Sequence, residues 1–326
     1  MKSFETKPAF LYYLRSLETA QQFLSHCYEP MKLETDTKSY ENANSLFYFI
    51  NQGITYYEQG KSGPLSIRPV LFFYGMTHFI KACLLTIRPH YPESTAVLAH
   101  GVSTRKRKKQ NYSFLQDEVK MQQNGLLTYM AEHLFQMKNW NKNRFVMRWL
   151  FEQIPELNTL FEWQFQKKAS IHIGTAPTTI LRIPAFVCDE VHLTKRRVLQ
   201  ELQSFFPDSN VETGQSKEWM ELSLKNPPSF FESHPLKKNE LDQGIYLPLN
   251  RTHWYPFHEI IAHYLLLYNL STICRYETEW WGELIHTSFS EDIVWIESFL
   301  EITSWKFPLW VNQWLLEKSS RRIIIS

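Results

Sequence analysis

Two stretches, Ile67–Ile87 and His258–Tyr276, carry apolar side chains on every side of a helical wheel. A helix without a polar face has no place on a water-facing surface, so each must be surrounded by other parts of the protein. Within the first, Pro69–Ile87 is also the most membrane-like run in the chain. His78 and Lys81 interrupt it, and Gly75 and Thr77 weaken it, which favours a buried helix over a membrane span. Because one stretch lies early and the other late, the sequence predicts a bundle in which the N- and C-terminal parts pack on each other.

The remaining periodicity fills in that bundle. Ala9–Tyr28 places Phe10, Leu14, Leu17, Phe23 and Leu24 near one face, and Pro30 closes it. Tyr40–Gln59 repeats the pattern through Leu46, Phe47, Ile50 and Ile54. Leu126–Leu134, Arg144–Phe151 and Pro155–Phe165 read as shorter helices, with a strand around Phe114–Met121. Ser290–Leu300 and Leu309–Lys318 read as two helices at the C-terminal end. The character changes near Lys167. Ser170–Ile173, Thr178–Ile183, Val211–Leu224 and Gly244–Leu249 have strand patterns, and Thr194–Phe206 is a helix that Thr194 can cap. The expected fold class is therefore mainly α: a helical N-terminal part (1–166), a smaller mixed α/β insert (167–250) and a helical C-terminal part (251–326) that packs on the first.

Composition narrows the chemistry. Only 10 of the 326 residues are glycine, and no GxxxxGK[ST], GxGxxG or GxSxG pattern occurs, which disfavours P-loop, dinucleotide and α/β-hydrolase chemistry. The formal net charge of +2 sets up no global field toward nucleic acid or an acidic membrane, so any basic site must be local. The four cysteines, Cys27, Cys83, Cys188 and Cys274, are far apart and form no CxxC pair. With no signal-peptide pattern at Met1–Pro8, they point to a reducing, cytoplasmic setting.

A set of short motifs carries a resemblance. Arg68-Pro69 runs into Tyr74-Gly75-Met76-Thr77-His78-Phe79-Ile80-Lys81-Ala82, followed by His100-Gly101 and Asn124-Gly125-Leu126. Near the end come Asn269-Leu270-Ser271-Thr272-Ile273-Cys274-Arg275-Tyr276 and Trp280-Trp281. In this order they resemble the YaaC-like family of bacterial cytoplasmic proteins. The resemblance covers most of the chain and implies a lineage and a compartment, but no reaction and no cofactor. A weaker similarity of general pattern points to HEPN-type domains, some of which are ribonucleases.

The candidate residues follow from these readings. The HEPN analogy singles out Arg251 and His258, with six residues between them before an apolar helix, as a catalytic pair. Histidine would move a proton while arginine steadies a phosphorane. Pro256 in the spacer disturbs a continuous helix. His258-Glu259 with His263 imitates a zinc helix, but a five-residue step puts the two histidines about 140° apart, so no metal site is expected. His78 and Lys81 sit three apart in an apolar helix, where a buried ammonium needs a partner or a cavity. With His100, Arg275 and Tyr276 they form a candidate binding set for a small anion or nucleotide, provided they converge. Arg105–Lys109 is a basic run best read as a solvated loop. The leading functional reading is a non-enzymatic binding or interaction protein, with a homodimer, RNA or a nucleotide as possible partners.

Overall fold

The computed structural model describes residues 8–31, 34–104, 112–137, 140, 142–212, 217–287 and 290–320. The basic run Arg105–Lys109 lies outside them. The N-terminal helices are α1 (Ala9–Tyr13), α2 (Leu17–Tyr28), α3 (Thr35–Ser62) and α4 (Arg68–Leu85). Then follow α5 (Leu126–Phe135), α6 (Met147–Phe151) and α7 (Asn158–Phe165), and after them α8 (Val187–Val191) and α9 (Lys195–Gln203). The chain closes with α10 (Glu259–Tyr276), α11 (Thr278–Thr287) and α12 (Asp292–Ser320). The strands are β1 (Val102–Thr104), β2 (Glu118–Met121), β3 (Arg144–Val146), β4 (Ser170–Thr175) and β5 (Ile180–Pro184). To these are added β6 (Asn210–Glu212), β7 (Trp219–Ser223), β8 (Lys237–Asn239) and β9 (Gly244–Pro248).

The two apolar stretches become α4 and α10, and they pack against each other in the centre, as the lack of a polar face requires. α3 and α12 cover other sides of α4, and α2 lies on α3. One core runs through all of these helices, from Leu11 to Leu315. The protein is thus a mainly α bundle formed by its N- and C-terminal parts. A second core, built from Ile173, Leu181, Ile183, Val198, Leu222 and Leu247 among others, lies in the smaller α/β portion. That portion holds two antiparallel three-stranded sheets, ordered β4-β9-β8 and β5-β7-β6. Thr194 caps α9 as the sequence predicts, its side chain accepting from the Arg197 N–H.

Several boundaries differ from the periodicity. Ala9–Tyr28 breaks into α1 and α2, because Ser16 caps a new helix there. Arg144–Phe151 is not one helix. Its first three residues pair with β2 (Val119 opposite Phe145), completing the sheet β1-β2-β3, and only Met147–Phe151 is helical. The two predicted C-terminal helices are one, α12, which continues through Pro308. Proline removes one main-chain hydrogen bond there, but the buried Phe307, Trp310 and Val311 hold both halves to the core. Phe114–Gln116 forms a 3-10 turn ahead of β2, anchored by Asp292, whose carboxylate accepts from the Phe114 N–H at 2.7 Å.

Candidate functional site

The binding set predicted from sequence assembles on the α4–α10 side of the bundle. Tyr74, His78 and Lys81 occupy one face of α4 at helical spacing. The stretch before β1 supplies His100, and α10 supplies Tyr268 and Arg275. His78 stacks on Tyr56 of α3, with ring centroids 5.7 Å apart, and Lys81 lies over the Phe49 ring at 5.7 Å. Tyr56 meets Tyr74 at 6.2 Å. On the other side, His100 packs edge-on against Tyr74 at 6.3 Å and against Tyr268 at 6.0 Å. Arg275 Nη1 donates to the Tyr74 hydroxyl at 3.3 Å. Four of the five predicted residues therefore share one aromatic neighbourhood. Tyr276, 71% exposed, stands at its rim with Arg275 over its ring at 5.1 Å.

Backbone geometry explains how His100 is placed. Gly101 has φ +75° and Gly125 φ +131°, values that side-chain-bearing residues rarely adopt. A Cβ on Gly125 would come within 2.4 Å of Gly101 Cα. That close approach lets the Leu126 N–H donate to the Ala99 carbonyl at 2.7 Å. The His100 carbonyl accepts from the Tyr264 hydroxyl of α10 at 3.0 Å. The His100-Gly101 and Asn124-Gly125-Leu126 motifs thus form one clamp that presents the imidazole to α4 and α10.

The electrostatics of the set are one-sided. Burial, with Lys81 beside it, lowers His78 to about 4, and its Nδ1 is a buried atom without a hydrogen-bond partner. Burial lowers His100 as well, helped by Arg275 and Lys81. Both imidazoles are neutral at pH 7, so the standing charges are Lys81 and Arg275. Burial alone lowers Lys81. Among the described residues no carboxylate lies within ion-pair distance of Lys81 or Arg275, although ion pairs are common elsewhere on the protein. Lys81 and Arg275 are thus partly buried cations among aromatic rings, with no paired carboxylate among the described residues.

Arg251 and His258 do not share a partner. Arg251 is exposed and pairs with Glu201 at 2.6 Å, beside a cleft of about 540 Å³ that is also lined by Arg148, Lys167, Lys168 and His192. His258 is buried, stacks on Phe135 at 3.8 Å and caps α10, with Nδ1 accepting from the Ile260 N–H and Nε2 on the Phe230 carbonyl. Both ring nitrogens are used by the neutral form, and burial drives the group down to about 3. That imidazole has no free nitrogen with which to move a substrate proton.

Sequence reasoning missed a buried ionic cluster below this cap. Lys306 of α12 bridges Glu156, at 2.7 Å, and Glu259, at 2.5 Å. Glu259 also receives His263 at 3.3 Å. Burial works against the charged form of Glu259, but Lys306 and His263 overcome it and hold the carboxyl below its usual range. Burial raises Glu156 despite the same lysine. Lys306 sits between Trp305 and Phe307. That isolated lysine in an apolar run is the same signal that marked Lys81, and it would have located this cluster. Among the described residues, no group of three or more His, Cys, Asp or Glu is arranged to hold a metal ion, and no helix is long and apolar enough to cross a membrane. No disulfide joins the four cysteines.

Comparison with known proteins gives one finding on lineage. A family model described as YaaC-like Protein matches residues 12–315. Searches of curated proteins and of solved structures return no match.

Proposed function

The chain belongs to the YaaC-like protein family, and from that premise we propose that it is a non-enzymatic binding protein whose α4–α10 patch takes a small organic anion with a flat ring, such as a nucleotide. One observation carries this reading: Lys81 and Arg275 are partly buried among Phe49, Tyr74 and Tyr276, with no carboxylate within ion-pair distance of either among the described residues. A phosphate or carboxylate would supply the missing charge, and the rings of Tyr56, Tyr74 and His78 offer stacking to a planar group. The neutral His78 and His100 add hydrogen-bonding nitrogens without adding charge. The division at 1–166, 167–250 and 251–326 belongs to the same proposal, since the first and last parts supply every residue of the patch. A reducing cytoplasm is its setting.

Titration calorimetry with adenosine monophosphate, adenosine and inorganic phosphate tests it. The monophosphate binds more tightly than either fragment. Lys81→Met and Arg275→Met each weaken it by about tenfold, the size of one charge-assisted hydrogen bond. Absence of binding by all three, or unchanged affinity in the double variant, would overturn the reading. The RNA-acting alternative draws no support from Arg251 and His258, whose partners lie apart, and His258→Ala is expected to leave any RNA-degrading activity of a preparation unchanged.

A further inference from the structure

A second site, independent of the patch, lies where β8 meets α10 and α12. A cavity of about 40 Å³ opens there, walled by His234, Lys237, His258, Glu259, Lys306 and Trp310, with both apolar neighbours and the charged Glu232, Lys238 and Glu240. It has room for about three water-sized groups. Lys237 is only 3% exposed, and its Nζ donates to two main-chain carbonyls, Phe257 at 2.6 Å and His234 at 3.2 Å. No carboxylate among the described residues lies within ion-pair distance of it. A neutral amine satisfies both carbonyls with its two hydrogens and keeps a lone pair, whereas an ammonium would have a third hydrogen left over.

Two further buried atoms on the cavity wall have no partner: Trp310 Nε1 and His234 Nδ1. His234 Nε2 donates to the Ser229 carbonyl at 3.1 Å, which leaves Nδ1 as an acceptor. The cavity therefore offers one unmet N–H, one unmet ring nitrogen and one amine in a mostly apolar shell. Unmet polar atoms at such depth are costly unless something occupies the space between them.

We propose that Lys237 is a reactive amine that captures a small aldehyde of two or three carbons in this cavity as an imine. The Nζ lone pair forms a C–N bond to the carbonyl carbon while the carbonyl π pair moves to oxygen. The carbinolamine oxygen gains the hydrogens that the amine gives up and leaves as water, so amine plus aldehyde becomes imine plus water, and the Phe257 and His234 carbonyls give up the donor that the free amine supplied. The Trp310 N–H is available to the carbinolamine oxygen. Charge selects an aldehyde over carbon dioxide, because a carbamate would add an anion to a cavity already lined by Glu232, Glu240 and Glu259. Burial, with Lys306 nearby, lowers Lys237 to about 7 against the opposing pull of Glu259. Near neutral pH a large share of this amine is thus unprotonated, compared with about one in a thousand for an ordinary surface lysine.

The test is brief exposure of the full chain to acetaldehyde with sodium cyanoborohydride at pH 7.4, followed by peptide mass mapping. Ethylation is expected at Lys237 at least about tenfold faster than at the exposed Lys120 and Lys225. Trp310→Phe, which keeps a large ring but removes the N–H, is expected to slow labelling of Lys237 several-fold and to leave those two lysines unchanged. Labelling of Lys237 no faster than Lys120 and Lys225 would overturn the proposal and leave a cavity that holds water alone. An unchanged rate at Lys237 in the Trp310 variant would overturn it too.

Discussion

At the scale of single residues, spacing and burial tell different things. His78 and Lys81 were legible because a charge in an apolar helix demands an explanation. His258 was visible as a residue but not as a cap, since a neutral imidazole accepting from a main-chain N–H leaves no sequence signature beyond its place before a helix. The difference has consequences. His258→Ala removes a cap and opens a hole beside Phe135, with an expected loss of about 2–3 kcal/mol in denaturant unfolding. Arg251→Ala breaks an exposed pair with Glu201 and should change stability by less than about 1 kcal/mol. Equal losses in the two variants would contradict these assignments. Burial lowers His78 and His234 to about 4 and His258 to about 3, against an unfolded value of about 6.5. Above pH 6.5 these groups are neutral in both states and their contribution is whole. As pH falls from 6.5 toward 4 the unfolded chain takes up protons that the folded chain refuses, so stability drops. Glu156, raised by burial, works in the opposite direction over part of this window, one group against three. The urea midpoint should therefore be lower at pH 5 than at pH 7.5, and a flat profile would count against the buried neutral imidazoles.

At the scale of elements, the two all-round apolar helices and short segments such as α5, β4, α9 and β9 were read correctly, while the division of Ala9–Tyr28, Arg144–Phe151 and Ser290–Lys318 was not. The α3–α4 contact is made by glycines whose role no periodicity reveals. A Cβ on Gly53 would meet the Phe79 ring at 2.5 Å, and one on Gly60 the Phe72 ring at 2.5 Å. Gly53→Ala gains helix propensity of roughly 1 kcal/mol, but overpacking against Phe79 outweighs it, for a net loss of about 1–2 kcal/mol by thermal or urea unfolding. A stabilised variant would show that the two helices are less closely packed. Arg144–Val146 was read as helix because its apolar spacing fits either period. Only its pairing partner β2, distant in sequence, makes it a strand. Ser290–Leu300 and Leu309–Lys318 were read as two helices, yet α12 runs through Pro308 as one.

At the scale of the whole molecule, the mainly α class, the central pair of apolar helices and the α/β portion were all legible, because each follows from where polar faces are absent. The convergence of His78, Lys81, His100 and Arg275 was not legible. It depends on the Gly101–Gly125 clamp and on the side of α4 against which α10 packs. The two cores lead to a further expectation: amides in α4 and α10 should exchange with solvent more slowly than those in β5 and β7, whose core is smaller. The central claim is that the α4–α10 patch is a binding site for an anion. Its most direct test follows the histidine C2–H resonances by NMR during titration with adenosine monophosphate. An anion seated between Lys81 and Arg275 should shift the His78 and His100 signals together and raise the pKa of both, leaving the buried His258 unmoved. Signals of His78 and His100 that stay fixed through the titration would contradict the account.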